Sequence, residues 1–471
     1  MSTAEAASAQ EQLAEWLVRL ETASIAGVCE PGMRMALESA RSVARAMSFE
    51  FDDAGLRLPC PVVVVGGTNG KGSTCAFIDA MATQAGYRTA VYTSPHLLRF
   101  EERLRILGQD SEAADWVAAF EVVAQATEGA GVSLTYFEWV TLAAFEVTRH
   151  QSLDLAVFEI GMGGRLDAVN LLSNDVAVLT SIDIDHQAFL GGTREEIGWE
   201  KAHIARSGRP LIVGDPVPPL SVAEVAKSIG ADLWQLGADF NYQGDRQQWG
   251  WTGRGLRRHA MAYPALRGVN QLLNASAALA ALAALQARLP VNQGAVRAGL
   301  SLVSLPGRFQ VLPGQPAVVL DVGHNPHAAG VLASNLDQMG FFPRTFAVLG
   351  MLADKDAEGV FLALLSRVDA WFLASLEKDV AGSRAQAAAS LAERLVPLLT
   401  RVQALRARDG LPAVEVHCHA DPVAAMQAAA RLADPGDRLV VFGSFITVSA
   451  VWPVAQLIGQ APHAPREPNA S

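Results

Sequence analysis

The sequence predicts an α/β fold in each half of the chain, with a mostly parallel sheet covered by helices. Short apolar runs rich in β-branched residues alternate with longer Ala- and Leu-rich stretches of helical period, which is typical of parallel sheets buried on both faces. Half of the residues are hydrophobic and 18% are charged, a globular composition. The 471 residues exceed the roughly 250–300 over which one core keeps growing, so two domains are expected.

The predicted strands fall into two groups along the chain. Those of the first half lie at 61–65, 89–93, 153–160 and 175–181, and those of the second half at 317–322, 345–350, 370–374, 413–418 and 438–442.

The segment between these groups predicts the domain boundary. Residues 239–255 are rich in glycine and aromatic residues without helical period, which indicates a small antiparallel sheet in which Trp249 and Trp251 pack. A helix at 271–289, a second short helix and a Pro-Gly break at 304–309 follow. We therefore expect domains at 1–303 and 304–460 and a flexible tail at 461–471.

Composition argues against several classes of partner. The net charge is -11 and no block of Lys or Arg stands out, so nucleic-acid binding is not expected. The four cysteines stand far apart without a CxxC pair, which argues against a disulfide framework and a thiolate metal site. No secretory signal is visible, and the longest apolar runs are shorter than the ~20 residues that span a bilayer. We expect a cytoplasmic monomer without membrane or nucleic-acid partners.

A glycine-rich loop predicts a nucleotide site. GGTNGKGST follows a run of valines and precedes an amphipathic run, the strand, loop and helix order of a phosphate cradle. Lys71 supplies a point charge, while Ser73 and Thr74 place hydroxyls at the helix N-terminus. The loop departs from GxxxxGK[ST] because Val65 replaces the first glycine and Gly72 separates the lysine from the hydroxyl. A glycine-rich turn that binds nothing is the alternative, but its context favours ATP or GTP.

Polar side chains follow several of the predicted strands. Ligands of open α/β sheets bind beyond the carboxyl ends of the strands, so these side chains are candidates for a site. A carboxylate, an imidazole and a hydroxyl suit Mg²⁺ when phosphate oxygens complete its coordination. Taken singly, Glu159 suits a strand-end charge, His186 a helix cap and Lys201 a charged surface pair, but their shared location favours a site. The candidates are Ser94, His96, Glu159, Arg165, Asp167, Asp183, Asp185, His186 and Lys201.

Two segments of the second half carry polar clusters. VVLDVGHNPHAAGVL predicts strand, turn and helix, and Asp321 at the strand end suits either a ribose hydroxyl or a structural N-cap. The run HCH offers two imidazoles and a thiol. Strand alternation turns Cys418 to the face opposite His417 and His419, which indicates a strand end rather than a metal site.

Together, the motifs resemble one family. GTNGKGST, YTSPHL, TYFEWVTLAAF, EIGMGGRLDAVN, TSIDIDH, EKAHIA, LPGRFQ, DVGHNPHAA, GMLADKD and GSFITV occur in the order and spacing of the dihydrofolate synthase/folylpolyglutamate synthase family, part of the Mur ligase superfamily. The resemblance covers roughly residues 12–455. It implies a P-loop ATPase domain followed by a smaller Rossmann-like α/β domain that carries the glutamate-ligase part, with the active site between them.

The resemblance also implies roles for individual residues. Lys71, Lys201 and His186 are expected in catalysis, His186 through the metal and Lys201 as the lysine that is carbamylated in the family. The expected ATP contacts are Thr68, Asn69, Gly70, Lys71, Gly72, Ser73, Asn274, Arg308 and Asp321. The expected magnesium ligands are Ser94, Glu159, His186 and Lys201, and the expected pteroate-side pocket contains Thr135, Phe137, Arg165 and Asp167.

The implied reaction is an ATP-dependent ligation with Mg²⁺. ATP activates a carboxylate of dihydropteroate or of a tetrahydrofolate glutamate as an acyl phosphate, and the amine of L-glutamate then displaces phosphate. Alternatives within the ligases are a folylpolyglutamate synthase with one activity and a peptidoglycan-precursor Mur ligase. The latter places a nucleotide-sugar domain of ~100–150 residues before the phosphate loop, where about 60 residues stand in this sequence. A P-loop switch or kinase, and a folate-binding regulator without turnover, are the alternatives outside the ligases.

Four positions depart from the family pattern. Arg34 stands where an acid that contacts the pterin is expected, which bears directly on dihydropteroate use. His203 changes EKAGI to EKAHI, Gly323 changes AHNPH to GHNPH, and Ile446 changes GSFHTV to GSFITV. None of these three removes a residue of the expected ATP or metal set.

Overall fold

The computed structural model describes residues 3–26, 37–245, 247–377 and 382–460. Arg34 lies outside the described residues. The chain divides into two compact units, Met1–Ala265 with Asn270–Ser304, and Leu266–Val269 with Leu305–Ser471. Each unit has its own large sheet.

The first unit is built on an eight-stranded sheet. The strands of the whole unit, of which β3 to β10 form this sheet, are β1 Phe51–Asp52, β2 Gly55–Leu56, β3 Val62–Gly66, β4 Thr89–Tyr92, β5 Leu104–Ile106, β6 Gln109–Asp110, β7 Leu155–Glu159, β8 Val176–Leu179, β9 Pro210–Val213, β10 Asp232–Gln235, β11 Phe240–Gly244, β12 Trp249–Gly253 and β13 Leu256–Met261. The large sheet has the order β10-β9-β8-β3-β7-β4-β5-β6. Neighbours from β10 to β4 pair in parallel, and β5 and β6 extend the sheet in antiparallel.

Helices cover this sheet because its central strands are predominantly apolar. β3, β4, β7 and β8 are buried at every residue, as a parallel sheet with two covered faces requires. The helices are α1 Thr3–Ala26, α2 Leu37–Ala46, α3 Lys71–Gln84, α4 Ala113–Ala130, α5 Tyr136–Arg149, α6 Gln187–Leu190, α7 Arg194–Ala202, α8 Leu220–Ile229, α9 Gln271–Ala284 and α10 Gln293–Leu302.

The helix α3 is held in place by two neighbours. It packs against α9 and α10, and Gly299 of α10 lies so close that an added Cβ would come within 2.6 Å of Met81 Cα. Because α3 begins where the glycine-rich loop ends, this packing fixes the direction in which the helix N-terminus points.

The second unit contains a smaller sheet of six strands. Its strands are β14 Gln310–Leu312, β15 Ala317–Leu320, β16 Thr345–Leu349, β17 Ala370–Ala374, β18 Glu415–His419 and β19 Arg438–Phe442, and its helices are α11 Pro326–Gln338, α12 Ala357–Leu364, α13 Ala388–Arg408, α14 Pro422–Leu432 and α15 Phe445–Gln460. The order is β14-β15-β19-β16-β17-β18, and only the pair of β14 with β15 is antiparallel. Buried side chains such as Trp371 and Phe361 form its core.

The predicted α/β class is confirmed, and all nine predicted strands are present within two residues at either end. The antiparallel sheet is present with a third strand, β13, that the composition did not indicate, and Trp249 and Trp251 are each 1% exposed. The helix predicted at 271–289 ends earlier, at Ala284. No helix among the described residues combines the length and apolar character needed to cross a membrane.

The HCH run lies in a strand, as predicted. The rings of His417 and His419 stack on Phe372 of β17, with centroids 4.9 and 5.9 Å away. Cys418 is exposed on the opposite face. The two imidazoles therefore pack on a neighbouring strand.

Candidate nucleotide and acceptor site

The glycine-rich loop has a backbone that only glycine allows at two positions. β3 ends at Gly66 and α3 begins at Lys71. Gly67 has φ 144° and Gly70 has φ 87°, in the region that L side chains rarely adopt. A Cβ on Gly67 would lie 1.9 Å from Thr180 Oγ1, and one on Gly70 would lie 2.4 Å from Asn274 Oδ1. Asn274 is therefore close to the loop, as the resemblance implied.

The loop backbone is fixed by the segment that follows β8. Thr68 N donates to Ser181 O at 2.6 Å, and Asn69 N donates to Ser181 Oγ at 3.2 Å. Thr180 Oγ1 donates to Asn69 O at 2.6 Å. The Thr68 hydroxyl also exchanges hydrogen bonds with the backbone N and O of Asp183, both at 3.0 Å. Thr180 and Ser181 were not among the predicted site residues, although the TS pair directly after a strand was a visible signal.

Two lysines point at the same carbonyl of the loop. Lys71 Nζ donates to Gly67 O and to Thr68 O, each at 3.2 Å, and Lys201 Nζ donates to Gly67 O at 2.9 Å. Gly72 and Ser73 are buried in the first turn of α3. The Lys71 ammonium group beside the N-terminus of α3 makes a site for an anion such as a phosphate.

Lys201 is buried, with 5% of its surface exposed, so its interpretation as half of a charged surface pair is wrong. Burial and, after it, the nearby charge of Lys71 lower the pKa of Lys201 to about 7, while Asp185 and Asp167 act in the opposite direction. A substantial fraction of this amine is therefore neutral near pH 7, and a neutral amine is a nucleophile.

The predicted magnesium ligands lie at the ends of neighbouring strands and on the elements that follow. Glu159 is the last residue of β7, is buried, and accepts a hydrogen bond from Ser94 N at 3.1 Å. His186 holds the N-cap position of α6 with φ 52°, yet its side chain makes no capping hydrogen bond, so capping does not account for the imidazole. Among the described residues, no three His, Cys, Asp or Glu side chains converge as a metal site. The predicted set of Ser94, Glu159, His186 and Lys201 stays a prediction.

His96, the candidate that follows Ser94, already has a partner. Arg103 Nε donates to His96 Nδ1 at 3.0 Å. Burial and, after it, the charge of Arg103 lower the pKa of His96 to about 4, so the imidazole is neutral at pH 7. His96 therefore packs beside Arg103 and accepts its hydrogen bond.

Two residues of the predicted pteroate-side pocket belong to the start of α5. Thr135 is the N-cap: its side chain accepts from Glu138 N at 3.3 Å, and the Glu138 carboxylate accepts from Thr135 N at 2.7 Å. The ring of Phe137 covers Gly161, where a Cβ would come within 2.5 Å of Phe137 Cζ. The start of α5 therefore lies against the turn that follows β7.

That turn contains Asp167 in a fully buried position. Its carboxylate accepts from Met162 N and from Val169 N, both at 2.9 Å. Burial raises the pKa of Asp167 to about 7, although the backbone hydrogen bonds and Lys71 act in the opposite direction. Asp167 thus shapes the turn that carries Arg165, whose Nη2 lies 2.9 Å from the Glu200 carboxylate.

Asp321 and Arg308 lie together in the second unit. The Asp321 carboxylate accepts from Phe309 N at 2.9 Å and from Gly323 N at 2.7 Å. The N-cap of α11 is Asn325, so the N-cap alternative for Asp321 is wrong. Burial raises the pKa of Asp321, which the charge of Arg308 opposes, and the Arg308 guanidinium lies 5.0 Å from the centre of the Phe445 ring.

Comparison with known proteins identifies the family of this chain. The Mur ligase middle domain matches residues 65–282, and the glutamate ligase domain of Mur ligases matches residues 307–445. The dihydrofolate synthase/folylpolyglutamate synthase of Escherichia coli (strain K12) is 40% identical over 388 residues, which cover 82% of this chain and 86% of that protein. The chain belongs to the dihydrofolate synthase/folylpolyglutamate synthase family. It is therefore a Mur ligase family member, and that family consists of ATP-dependent ligases.

Two solved structures of related proteins are similar to this chain over nearly its whole length. An E. coli FolC structure in complex with DHPP and ADP has a TM-score of 0.82 and 37% identity, and covers 94% of this chain and 98% of its own. A bifunctional folylpolyglutamate synthase/dihydrofolate synthase with Mn, AMPPNP and L-glutamate bound has a TM-score of 0.79 and 38% identity, with 94% and 97% covered.

Proposed function

We propose that this chain is a bifunctional ligase, which uses ATP to add L-glutamate to dihydropteroate and to tetrahydrofolate glutamates. The observation that carries the proposal is the pair of lysines on the Gly67 carbonyl at the start of α3. The DHPP, ADP, AMPPNP and L-glutamate bound to the related structures support these reactants.

The chemistry follows from the poor electrophilicity of a carboxylate. A carboxylate oxygen of the acceptor attacks the γ-phosphorus of ATP, and the bond to the β-phosphate oxygen breaks, releasing ADP. The glutamate nitrogen then attacks the acyl carbon, the carbon–oxygen bond to phosphate breaks, and the nitrogen loses a proton. Lys71 offsets negative charge on the transferring phosphoryl group, mostly by position and electrostatics.

Divalent metal is part of the proposal. Ser94, Glu159, His186 and Lys201 are the residues that would hold it; the buried Glu159 carboxylate at a strand end fits a hard cation beside phosphates. When bound, Mg²⁺ would neutralise charge on the phosphate oxygens.

A carbamate on Lys201 would complete this set. The Lys201 nitrogen, neutral at a pKa of about 7, would attack the carbon of CO₂, lose a proton to solvent and leave a carboxylate on the side chain. The negative charge would then attract Lys71, whereas the ammonium form repels it. The change from repulsion to attraction between Lys201 and Lys71 supports carbamylation of Lys201.

The remaining assignments concern ATP and the acceptor. We assign the acceptor side to the pocket residues and the nucleotide side to the loop, to Asn274 and to the pair in the second unit, in a monomer with domains at 1–303 and 304–460. The residues are Thr135, Phe137, Arg165 and Asp167 for the acceptor, and Thr68, Asn69, Gly70, Lys71, Gly72, Ser73, Asn274, Arg308 and Asp321 for ATP.

The test is phosphate release with ATP, Mg²⁺ and L-glutamate, with dihydropteroate and tetrahydrofolate offered separately. Turnover of both acceptors supports the bifunctional enzyme. Turnover of tetrahydrofolate alone, with dihydropteroate use gained in Arg34→Asp, supports a folylpolyglutamate synthase with one activity. Release with neither acceptor, but with a peptidoglycan precursor, would replace the proposal by the other Mur ligase activity. Lys71→Ala is the inactive control.

A further inference from the structure

Arg165 is held by a cluster of side chains on one helix, although only Arg165 itself matched a family site. Its guanidinium carbon lies 5.0 Å from the centre of the Trp199 ring. Its Nε and Nη2 donate to the Glu200 carboxylate at 2.9 to 3.2 Å, and its backbone N donates to Glu200 O at 3.0 Å. One face and one edge of the guanidinium are thus fixed by two consecutive residues of α7. We call Arg165, Trp199, Glu200 and His203 the Arg165 cluster.

His203 orients the tryptophan of this cluster. The His203 ring meets the Trp199 ring edge to face, with centroids 4.3 Å apart at 62°. Its Nδ1 donates to Trp199 O at 2.7 Å, which fixes the tautomer with the proton on Nδ1. The two residues are four apart, so they lie on the same face of the helix end.

The buried Asn170 side chain ties the loop of Arg165 to the end of α7. Asn170 Nδ2 donates to Arg165 O and to His203 O, both at 3.2 Å, and its Oδ1 accepts from Arg206 Nη2 at 2.9 Å. A Cβ at Gly164 would come within 2.8 Å of Glu200 O, so the loop backbone lies directly on the helix. The cluster is therefore a packed arrangement of two segments.

The cluster leaves one edge of the guanidinium available. Among the described residues, Arg165 Nη1 has no hydrogen-bond partner, and 38% of the side-chain surface is exposed. Glu200 already offsets the positive charge of Arg165, so the remaining N–H groups suit a neutral oxygen or nitrogen acceptor better than they suit a free anion. Trp199 is 42% exposed and offers an apolar face beside them.

We propose that Trp199 and His203 are positioning residues that aim Arg165 at a neutral hydrogen-bond acceptor of the pteroate-side substrate. The inference rests on the proposed function and deepens it. Lys201 of the same helix points away from the cluster, to Gly67 O. Changes in the cluster therefore alter acceptor binding, and they leave the nucleotide side unaffected.

The test compares Trp199→Ala, Trp199→Phe and His203→Gly with wild type in steady-state kinetics. An exposed cation–π contact accounts for about a two- to fivefold change in binding. We expect Trp199→Ala to raise the dihydropteroate KM by that factor, His203→Gly to raise it less, and Trp199→Phe to restore it. The KM for ATP and kcat should stay within about twofold. A residue that only stabilises the helix would change kcat and thermal stability and leave the acceptor KM unchanged.

A matched control lies in the turn between β12 and β13 of the small antiparallel sheet, where it meets the edge strand β10 of the large sheet. Arg254 lies 4.2 Å from the Trp234 ring centre and pairs with Asp232 and Asp239, a similar arrangement outside every proposed site. Arg254→Ala should leave the acceptor KM unchanged. In an Arg165→Ala background, Trp199→Ala should have no further effect.

Failure of this inference can be distinguished from failure of the proposed function. If wild type turns over and Trp199→Ala keeps the wild-type acceptor KM, the inference is wrong and the proposed function stands. If wild type releases no phosphate with any acceptor, the proposed function is wrong, and the inference fails with it.

Discussion

At the scale of single residues, Lys201 has the most unusual environment. Its burial and its neighbour Lys71 lower its pKa to about 7, which makes the neutral amine available for CO₂. We expect enzyme depleted of CO₂ to lose activity and to recover it with bicarbonate, faster at pH 8 than at pH 6 because more of the amine is neutral. Phosphate release measures the recovery.

The control for this prediction is Lys201→Arg, which keeps a positive charge but stays protonated and cannot form a carbamate. It should lose activity by about ten- to a hundredfold and gain nothing from bicarbonate. Full activity of Lys201→Arg would rule out the carbamate.

The raised pKa of Asp167 predicts that the stability of the folded protein depends on pH. Its folded-state pKa of about 7 lies above the ordinary value of 3.8, so the folded state binds the proton more tightly than the unfolded state. The stabilisation is therefore fully present below about pH 4 and is lost as pH rises through 7. Asp167→Asn cannot show this loss. The difference in free energy of unfolding, variant minus wild type, should therefore rise by about 2 kcal/mol between pH 5 and pH 7.5.

Urea denaturation at the two pH values measures the Asp167 effect. The amide cannot accept both backbone bonds that the carboxylate accepts, so the trend with pH is decisive and the absolute stability is not. Asp154→Asn is the flat control: because its hydrogen bonds with Arg88 lower the pKa of Asp154 below its ordinary value, this carboxyl is ionised in both states from pH 5 to pH 7.5, and the difference in stability between the variant and wild type should be the same at both pH values. Parallel pH profiles for wild type and Asp167→Asn would contradict the prediction.

Residue types and their positions after strands could be predicted from the sequence, but burial and partners could not. Lys201 was found by its motif, whereas its burial depends on how α7 packs on the loop. The sequence left Asp321 as either a ribose contact or a helix N-cap, and the structure excluded the N-cap because Asn325 caps α11. Thr180 and Ser181 were missed because their function is to hold a loop that lies more than a hundred residues away in sequence.

At the scale of elements, the glycine-rich loop and α3 form the part on which the nucleotide proposal depends. Gly70 and Gly86 flank α3 with nearly equal φ, 87° and 91°, but only Gly70 has a close neighbour, Asn274. Alanine at either position should cost about 1–2 kcal/mol of backbone strain. Gly70→Ala must also displace Asn274, so its kcat/KM for ATP should fall by at least about tenfold, while Gly86→Ala keeps the wild-type value. Thermal melts and ATP titrations of both variants check this, and equal ATP kinetics would contradict it.

Most of the central parallel strands were predictable because a strand buried on both faces is largely apolar. β9, which also lies inside the large sheet, was missed, since PLIV is short and begins with a proline. β5, β6, β10, β13 and β14 lie at or beside sheet edges and were missed as well, since their short runs carry mixed residues whose pairing depends on tertiary contacts. The helix at 271–289 was predicted too long because LQARL continues the helical pattern, while the structure ends α9 at Ala284.

At the scale of the whole molecule, the three cysteines within the described residues lie in different environments. Cys75 lies in α3 and is fully buried, and burial raises its pKa well above its ordinary value; burial likewise raises the pKa of Cys60 to about 12. Cys418 is exposed on β18 of the second unit. Since alkylation requires an accessible thiolate, iodoacetamide at pH 8 should label Cys418 in the native protein, and Cys60 and Cys75 should react at least about a thousandfold more slowly.

Nucleotide binding should slow the labelling of Cys75 further. A ligand at the N-terminus of α3 stabilises the folded first unit, and the population of open forms in which Cys75 can react falls in proportion to ligand concentration above Kd. Mass spectrometry of time points with and without AMPPNP measures each cysteine separately, with Cys418 as the internal control. If AMPPNP changed the Cys418 rate as much as the Cys75 rate, protection would not originate at α3. If Cys75 reacted as fast as Cys418 in the native protein, α3 would not be packed in the core as the structure has it.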